Sequence, residues 1–364
     1  MSAMEMVRQW QKTVKDNLVP NLHGHQAKAL AAFSFAMAQA GSCTSGLIAA
    51  AVPGAASPAS VRRRLERTLS NHRIDATGAM LGLSSSLMRH WGGCGRRILL
   101  ILDETPKAND LRCMRLSVAY HKRTVPLLSV CYRPDDPPMP MPVLVRWMLR
   151  QVAACVPRQD VVVTLLADRG LCWPTLIRQC RRLGWHYLLR LQSSTRVRLP
   201  EDGGIKAVQE LAPRPGTHAF VQDVRIFKKA RWLRANVAAV WEPHAKEAWL
   251  LVSDEPASYR GCCRRYCKRT WCEESHRDDK SSGFNWQRSH VKDPDHAQRL
   301  VLVMALASLL CIAQGVSVIK RGLRYLFEPR RQRQLSVFQL GKRWLEYALV
   351  HNEPLIPLPS MPPP

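Results

Sequence analysis

Acidic residues are scarce in this sequence, and their scarcity limits the partners that it can have. The 364 residues include 28 Asp and Glu against 54 Lys and Arg, so the formal net charge is +26. Such an excess favours a polyanionic partner and predicts binding that weakens with salt. A protein of the membrane surface or of the ribosome would share this charge, which therefore indicates nucleic acid only loosely.

Paired cysteines and an apolar leader are also missing. None of the 12 cysteines forms a Cys-x2-Cys pair, and residues 1–11 are too polar for the core of a signal peptide. We expect a reducing cytoplasm, in which most cysteines are small buried hydrophobic residues. A group of Cys262, Cys263, Cys267 and Cys272 lies near His276, but its spacing matches no common zinc module.

Long hydrophobic runs are limited to one stretch, residues 300–319, which contains no charged side chain. Its length would allow it to cross a membrane. It contains Ser308, Gln314 and Ser317, charged segments flank it closely, and no second such stretch follows. We therefore expect a buried core helix and no membrane partner.

The length of the chain predicts two or three domains. The expected fold class is α/β, with a ribonuclease H-like catalytic core that carries a β-rich insertion and follows an all-helical DNA-binding domain. The predicted divisions are 1–92 (helical, helix-turn-helix-like), 93–194 (core, first part), 195–256 (β-rich insertion), 257–320 (core, helical second part) and 321–364 (basic segment and tail). The proline-rich end, residues 352–364, has no core-forming content, and we expect it to be disordered.

The N-terminal region carries an arginine cluster on a predicted helix. Ser57-Pro58 is a helix-start signal, and the helix that follows contains Arg62, Arg63, Arg64 and Arg67. Two short predicted helices precede it, an arrangement that resembles a helix-turn-helix DNA reader. The alternative is a solvated basic helix of an unrelated bundle.

The order of elements in the centre of the chain indicates the fold. Three strands (97–102, 115–120, 125–131) are followed by a helix (143–156), a strand (161–166), a helix (173–182) and a strand (185–191). This β-β-β-α-β-α-β order is that of a ribonuclease H-like domain. The first and fourth strands are neighbours in that fold, so Asp103 and Asp168 should lie side by side.

Three acidic residues stand where a metal-dependent nuclease needs them. Asp103 and Asp168 each follow an apolar run, and Glu273 lies in a basic, helix-like segment. Carboxylate oxygens are suited to Mg²⁺ or Mn²⁺, and a pair of such ions supports in-line attack at a phosphodiester. An isolated acid is ordinarily a solvated surface charge, but a carboxylate beside such a run is costly unless it is compensated. Glu274 is the alternative third ligand.

A resemblance to a known family rests on the segment Tyr266-x2-Arg269-x3-Glu273-x6-Lys280. It matches the signature of the insertion-sequence-four transposases, which are hairpin-forming, cut-and-paste DDE enzymes. Residues 102–105 (LDET) and 167–170 (ADRG) resemble the family's two aspartate motifs, and only Glu273 keeps the register of the signature. The resemblance covers residues 97 to 280, about half of the chain.

The resemblance implies a role for each of these residues. Asp103, Asp168 and Glu273 would hold two Mg²⁺ ions, with Mn²⁺ as a substitute. Tyr266, Arg269 and Lys280 would bind phosphates, and Arg277 is predicted to share one helix face with Arg269, Glu273 and Lys280. Trp249 would border a pocket for a flipped base, although it could equally be a core residue.

The function implied is that of a DNA transposase in the bacterial cytoplasm, near the nucleoid. It would bind double-stranded DNA at terminal inverted repeats, cleave it, form a hairpin and join the element to target DNA, as a homodimer. Two alternatives remain open. One is a metal-dependent endonuclease that does not transpose, and the other is a catalytically silent DNA-binding regulator.

Overall fold

The computed structural model describes residues 1–92, 96–157, 161–201, 203–256, 258–356 and 364. Within them, ten strands form one mixed sheet with helices on both faces. The strands are β1 Arg96–Lys107, β2 Leu111–Tyr120, β3 Arg123–Tyr132, β4 Val161–Ala167, β5 His186–Arg190, β6 Arg196–Arg198, β7 Ile205–Ala207, β8 His218–Ile226, β9 Leu233–Val240 and β10 Trp249–Ser253. The α-helices are α1 Ala3–Thr13, α2 Gly24–Ala40, α3 Ser45–Ala51, α4 Pro58–Ser70, α5 Ala76–Trp91, α6 Met141–Ala153, α7 Pro174–Arg182, α8 Tyr259–Tyr266, α9 Trp271–Arg277, α10 Pro294–Lys320 and α11 Val337–His351.

The first five strands have the predicted order. The sheet runs β3-β2-β1-β4-β5-β10-β9-β8-β6-β7. Strands β1 to β3 form an antiparallel meander, whereas β1, β4 and β5 are parallel. The arrangement is consistent with a ribonuclease H-like domain, and β1 and β4 are neighbours as expected. One expectation was wrong: β1 continues to Lys107, so Asp103 lies within the strand instead of following its end.

The residues predicted as a β-rich insertion extend the same sheet. Strands β6 to β10 fall within them, and β10 pairs antiparallel with β5. The backbone N–H of Leu191 also donates to the carbonyl of Leu250, 2.7 Å away. The sheet is therefore continuous from β1, β4 and β5 into the insertion.

The two faces of the sheet belong to different cores, because side chains alternate along a strand. In β1, Ile98, Leu100 and Leu102 lie in the larger core, which also contains the buried residues of α2, α5, α6 and α10. Leu99 and Ile101 lie in a smaller core on the opposite face, together with buried residues of α8 and α9. Helices thus cover both sides of the strand that carries Asp103.

Helix α10 is the central helix of the larger core. It is long and apolar enough to span a membrane, but 94% of its most apolar window is buried inside the protein. It packs against α2, α4, α5, α11 and β3. The expectation of a buried core helix over residues 300–319 is confirmed.

The N-terminal helices share this core. Trp10 of α1, together with Phe33 and Phe35 of α2, belongs to the same hydrophobic cluster as the buried face of α10. Residues 93–95, where the predicted catalytic core begins, lie outside the described residues. Packing is therefore continuous from the helical region onto α10.

The C-terminal helix approaches α10 very closely. A Cβ atom at Gly341 would lie 1.7 Å from the carbonyl oxygen of Cys311, and one at Gly315 would lie 1.8 Å from that of Val337. Only glycine at both positions lets the two backbones come so near. The close approach holds α11 against the central helix.

The start of the proline-rich tail is ordered, contrary to expectation. Leu355 and Ile356 are buried, and the backbone of Ile356 forms two hydrogen bonds with the side chain of Gln314, at 2.8 and 2.9 Å. Two apolar side chains and an amide partner in α10 supply the burial that composition alone did not indicate. Residues 357–363 of the tail lie outside the described residues.

Candidate active site

Strand register and alternation bring the two aspartates to one place. Leu102 of β1 is paired with Ala167 of β4, so the next residues along the parallel strands, Asp103 and Asp168, are adjacent. Because side chains alternate along a strand, Asp103 points to the same face as Leu99 and Ile101, whose side chains lie in the core beneath α8 and α9. The carboxylate of Asp103 therefore reaches the sheet face that these helices cover.

The segment that supplies the third acid, residues 259–280, is helical throughout, as expected, but it is not one regular α-helix. Helix α8 is followed by a 3₁₀ turn, Cys267–Thr270, then by α9 and by a π-helical turn, Asp278–Ser282. The hydroxyl of Thr270 donates to the carbonyl of Cys267, 2.8 Å away, which is the kind of side-chain bond that competes with helical pairing. These changes of helix type alter which side chains point at the sheet.

Arg269 lies at the centre of the predicted triad. Its guanidinium nitrogens lie 2.7 Å from Asp103, 2.5 Å from Glu273 and 3.8 Å from Asp168. The Arg269 side chain is only 14% exposed, while that of Glu273 is 54% exposed. Three carboxylates from β1, from the end of β4 and from α9 therefore converge on one cation.

Asp103 is the most enclosed of the three acids and has a second partner. Nε2 of His276 lies 3.0 Å from its Oδ2. Burial by itself would raise the pKa of Asp103, but the hydrogen bond with His276 and the charge of Arg269 together bring that pKa below its ordinary value. Asp103 is therefore ionised near neutral pH.

The donor atoms present fit divalent cations that prefer oxygen. Oδ1 of Asp168 is buried and has no hydrogen-bond partner among the described residues. A buried oxygen of this kind is costly unless a ligand completes it. Asp103, Asp168 and Glu273 together also carry more negative charge than Arg269 neutralises. Both observations suit Mg²⁺ or Mn²⁺.

Two predicted DNA-binding residues flank the cluster on its β4 side. The hydroxyl of Tyr266 donates to the carbonyl of Ala167, 3.4 Å away, so it lies next to Asp168. The ring of Trp249 meets that of Tyr266 edge-on, with centroids 5.4 Å apart. Trp249 also borders a cavity of about 170 Å³, lined in addition by Val240, Glu242, Ala245, Glu247 and Cys263.

Lys280 and Arg277 are placed differently from each other. Lys280 is partly buried, and this burial lowers its pKa, although the nearby charge of Asp103 acts to raise it. Arg277 does not join the cluster: it pairs with Glu274 at 3.1 Å and its side chain is 62% exposed. The predicted single face through Arg269, Glu273, Arg277 and Lys280 was wrong, because α9 begins only at Trp271 and gives way to a π turn at Asp278.

The four N-terminal arginines are exposed on α4, opposite its buried residues Val61, Leu65 and Leu69. They are Arg62, Arg63, Arg64 and Arg67, and Arg62 pairs with Glu66 at 2.9 Å. Within the described part of the chain, no hydrogen bond or ion pair joins them to the acid cluster. They form a separate basic surface.

Sequence reasoning missed two buried ion pairs beside the cluster. Arg123 contacts Asp278 and Arg115 contacts Asp279, each at 2.5 Å, and all four side chains are at most 10% exposed. The backbone N–H of Thr124 also donates to Ser275, 2.7 Å away. We call the two pairs the clamp, because they join the end of α9 and the π turn to β2 and β3. The signal in the sequence was one arginine at, or just before, the start of each predicted apolar strand, 115–120 and 125–131.

The clamp residues have perturbed acidities. Burial raises the pKa of Asp278 to about 6, in spite of the opposing charge of Arg123. Burial alone would lower the pKa of Arg115, but the charge of Asp279 raises it above the ordinary value. Arg115 therefore stays protonated, and its pairing with Asp279 is an ion pair.

Comparison with protein families decides what this site belongs to. A profile of the family described as transposase DDE domain matches residues 106–310, more than half of the chain. The chain belongs to the transposase DDE domain family. The matched residues of the DDE domain include Asp168 and Glu273 and begin three residues after Asp103. A comparison with curated protein sequences found no match. Membership implies a metal-dependent nuclease or transferase activity on DNA, and DDE transposases use divalent metals.

Proposed function

We propose that this DDE transposase is a cut-and-paste enzyme of the insertion-sequence-four type. It would cleave DNA at the terminal inverted repeats of its element, form a hairpin at each end and join the element to target DNA. The observation that carries the proposal is the convergence of Asp103, Asp168 and Glu273 on Arg269.

Asp103, Asp168 and Glu273 are the proposed ligands of two Mg²⁺ ions, which Mn²⁺ can replace. When bound, these ions would activate the attacking oxygen and stabilise the leaving oxygen of a phosphodiester. Asp103 lies within β1, and Asp168 directly follows the neighbouring strand β4. The exposed Glu273 can adjust its position as the site fills.

Arg269 has a proposed second role in binding the scissile phosphate. Its Nε is buried and has no partner among the described residues, so it retains capacity to donate. Once other positive charge balances the carboxylates, the guanidinium can turn to phosphate, for which its planar fork is suited. Lys280 and the hydroxyl of Tyr266 would bind neighbouring phosphates from either side of the acids.

Trp249 is the proposed stacking platform for a flipped base during hairpin formation. It borders the cavity described above and lies against Tyr266, so a base there would be close to Asp168. Stacking of a base on an aromatic ring contributes roughly 1–3 kcal/mol.

The Trp249→Ala variant should therefore lose hairpin formation by about tenfold or more while the first nick is largely retained. Gel analysis of both products tests this, with Trp232→Ala as the control. Equal loss of both products would make Trp249 a core residue instead.

The proposed division of labour assigns recognition of the repeats to residues 1–92 and catalysis to residues 93–194 and 257–320. The strands of residues 195–256 would carry Trp249, and residues 321–364 would add backbone contacts. The exposed arginines Arg62, Arg63, Arg64 and Arg67 would contact the DNA. A homodimer would hold the two ends of the element together.

The decisive experiment uses purified protein, Mg²⁺ and labelled DNA with the sequences that flank its own gene. Nicks at the repeat ends that mature into hairpins, and that are absent with Asp168→Asn, would support the proposal. Cleavage that never leads to joining would favour an endonuclease. Binding without cleavage in Mg²⁺ or Mn²⁺ would favour a regulator.

A further inference from the structure

A second group of possible metal ligands lies behind the acid cluster. One ligand atom each from Asp103, Cys272 and His276 lies within 4.8 Å of the other two. Cys272 and His276 are buried and stand one turn apart on α9, so both face the sheet. Asp103 is the only one of the three that also contacts Arg269.

The spacing of these atoms is close to that of a tetrahedral metal site. Bonds of about 2.0–2.3 Å to N, O and S ligands place neighbouring ligand atoms about 3.3–3.6 Å apart. Nε2 of His276 and Oδ2 of Asp103 are 3.0 Å apart, and all separations stay within 4.8 Å. Side-chain shifts on the order of an ångström would bring the three ligand atoms to this spacing.

The chemistry of the donor set selects the ion. On metal binding the Cys272 thiol would release its proton to solvent, and the resulting thiolate, with an imidazole and a carboxylate, suits Zn²⁺ or Co²⁺, whereas Mg²⁺ prefers oxygen ligands alone. We propose that Asp103, Cys272 and His276 form a metal site for Zn²⁺-like ions, distinct from the oxygen site but sharing Asp103 with it. Three protein ligands leave the fourth position of the ion open.

The imidazole of His276 can serve this purpose. Its Nδ1 has no hydrogen-bond partner in the part of the chain that the structure describes. The Asp103 carboxylate accepts a hydrogen bond from Nε2–H, whereas no described group holds Nδ1; with the ring proton on Nδ1 instead, Nε2 would present a lone pair to an ion.

Tertiary structure, not cysteine spacing, assembles this site. Of the four clustered cysteines only Cys272 contributes, while Cys267 is exposed on the neighbouring 3₁₀ turn. The third ligand comes from β1, which is why no common zinc spacing was visible.

One consequence rests on the proposed function. Because Asp103 would serve both sites, an ion held by Cys272 and His276 takes this carboxylate away from Mg²⁺. Zn²⁺ at low concentration should then inhibit DNA cleavage even in excess Mg²⁺. The binding of the ion itself does not depend on whether the protein cleaves DNA.

The first test is a titration of the full-length, metal-free protein with Co²⁺, followed by absorption. We expect one tightly bound ion with a thiolate-to-cobalt band and the strong visible bands of a tetrahedral site. Cys272→Ser should remove the thiolate band and weaken binding by more than about tenfold, since even outer partners of metal ligands contribute about 10- to 100-fold. Cys267→Ser, the matched control, should leave both unchanged.

Absence of a tight ion in the wild type, or a thiolate band that survives in folded Cys272→Ser, would overturn the proposal. If Cys272→Ser does not fold, X-ray absorption of the wild type with Zn²⁺ decides. One sulfur at about 2.3 Å supports the site, and a shell of only oxygen and nitrogen refutes it.

A cleavage assay separates this inference from the proposed function. Zn²⁺ should inhibit the wild type at least tenfold more strongly than Cys272→Ser at the same Mg²⁺ concentration. Equal inhibition would refute the shared use of Asp103. If the wild type cleaves nothing in Mg²⁺, the proposed function fails, while the Co²⁺ titration still decides whether the metal site exists.

Discussion

The acid cluster and the clamp lie at two ends of the same short segment and differ in their balance of charge. In the cluster, Asp103, Asp168 and Glu273 converge on one guanidinium. In the clamp, each arginine contacts one aspartate, and these four side chains are almost fully buried, although Arg123 also lies 3.8 Å from the more exposed Glu274. Paired buried charges of opposite sign serve structure, whereas a surplus of negative charge leaves ligand capacity for cations from solution.

The two regions also depend on each other. The clamp joins the end of α9 to β2 and β3, and Glu273 lies in that helix. A catalytic group must be held within about 0.5 Å of its productive position. In the proposed mechanism, the clamp would hold α9, and with it Glu273, in position.

The largest expected effect comes from neutralising the acids of the cluster, with the neighbouring acid in the sequence as the control for each. Asp103→Asn and Glu273→Gln should each reduce DNA cleavage by roughly 100-fold or more, since several kcal/mol of charge stabilisation are lost. The adjacent controls Glu104→Gln and Glu274→Gln should stay within about threefold of the wild type. Initial rates of nicking measure this, and a larger loss in Glu274→Gln than in Glu273→Gln would exchange their roles.

The next effect distinguishes the clamp from the cluster by paired substitution. Arg115→Met leaves Asp279 buried without a partner and should lower the free energy of unfolding by about 3–5 kcal/mol. Adding Asp279→Leu should restore most of that stability, because an apolar pair can replace a buried ion pair. Urea denaturation checks both variants.

The same substitution pattern applied to the cluster supplies the contrast. Arg269→Met combined with Asp103→Leu should leave cleavage abolished, whatever its stability. An unchanged unfolding free energy in Arg115→Met alone would show that the clamp does not support the fold.

A smaller effect concerns the cation at the centre of the cluster. Arg269→Gln leaves the three carboxylates without their guanidinium, so they repel one another more strongly than in the wild type. Added Mg²⁺ should therefore stabilise this variant more than it stabilises the wild type. We expect Mg²⁺ to raise the Tm of this variant by about 2–4 °C more than that of the wild type. Arg277→Gln is the control, and equal shifts in all three proteins would argue against metal binding by these acids.

The smallest effect is a pH dependence in the clamp. Since the pKa of Asp278 is about 6 in the folded protein against an ordinary value of 3.8, the native state binds this proton more tightly. The stability that Asp278 contributes is thus fully present at pH values below its ordinary pKa of 3.8, and it is lost as the pH rises through about 6.

The stability of the wild type relative to Asp278→Asn should accordingly rise by about 1 kcal/mol between pH 7 and pH 5. Urea denaturation of both proteins at several pH values measures the difference. A constant difference would mean that Asp278 does not titrate in this range.

Local patterns were enough to predict the centre of the fold. Strand order and the apolar runs before Asp103 and Asp168 placed these residues on neighbouring strands, as β1 and β4 have them. The 3₁₀ turn between α8 and α9 was not predicted, because the hydrogen bond from the Thr270 hydroxyl to a backbone carbonyl depends on local geometry and not on periodicity. The burial of Leu355 and Ile356 was missed because it depends on Gln314, about 40 residues away in sequence.

By itself the sequence determined the chemistry available to this protein: excess positive charge, three acids at defined positions and a strand order that brings two of them together. Only the tertiary structure decided which charges meet. It placed Arg269 among the acids, excluded Arg277, paired Arg115 and Arg123 with two aspartates, and brought Cys272 and His276 to Asp103. Residues more than 150 positions apart meet in both clamp pairs, in the pair of Arg269 with Asp103 and in the contact of His276 with Asp103, whereas periodicity acts only over a few turns or strand residues.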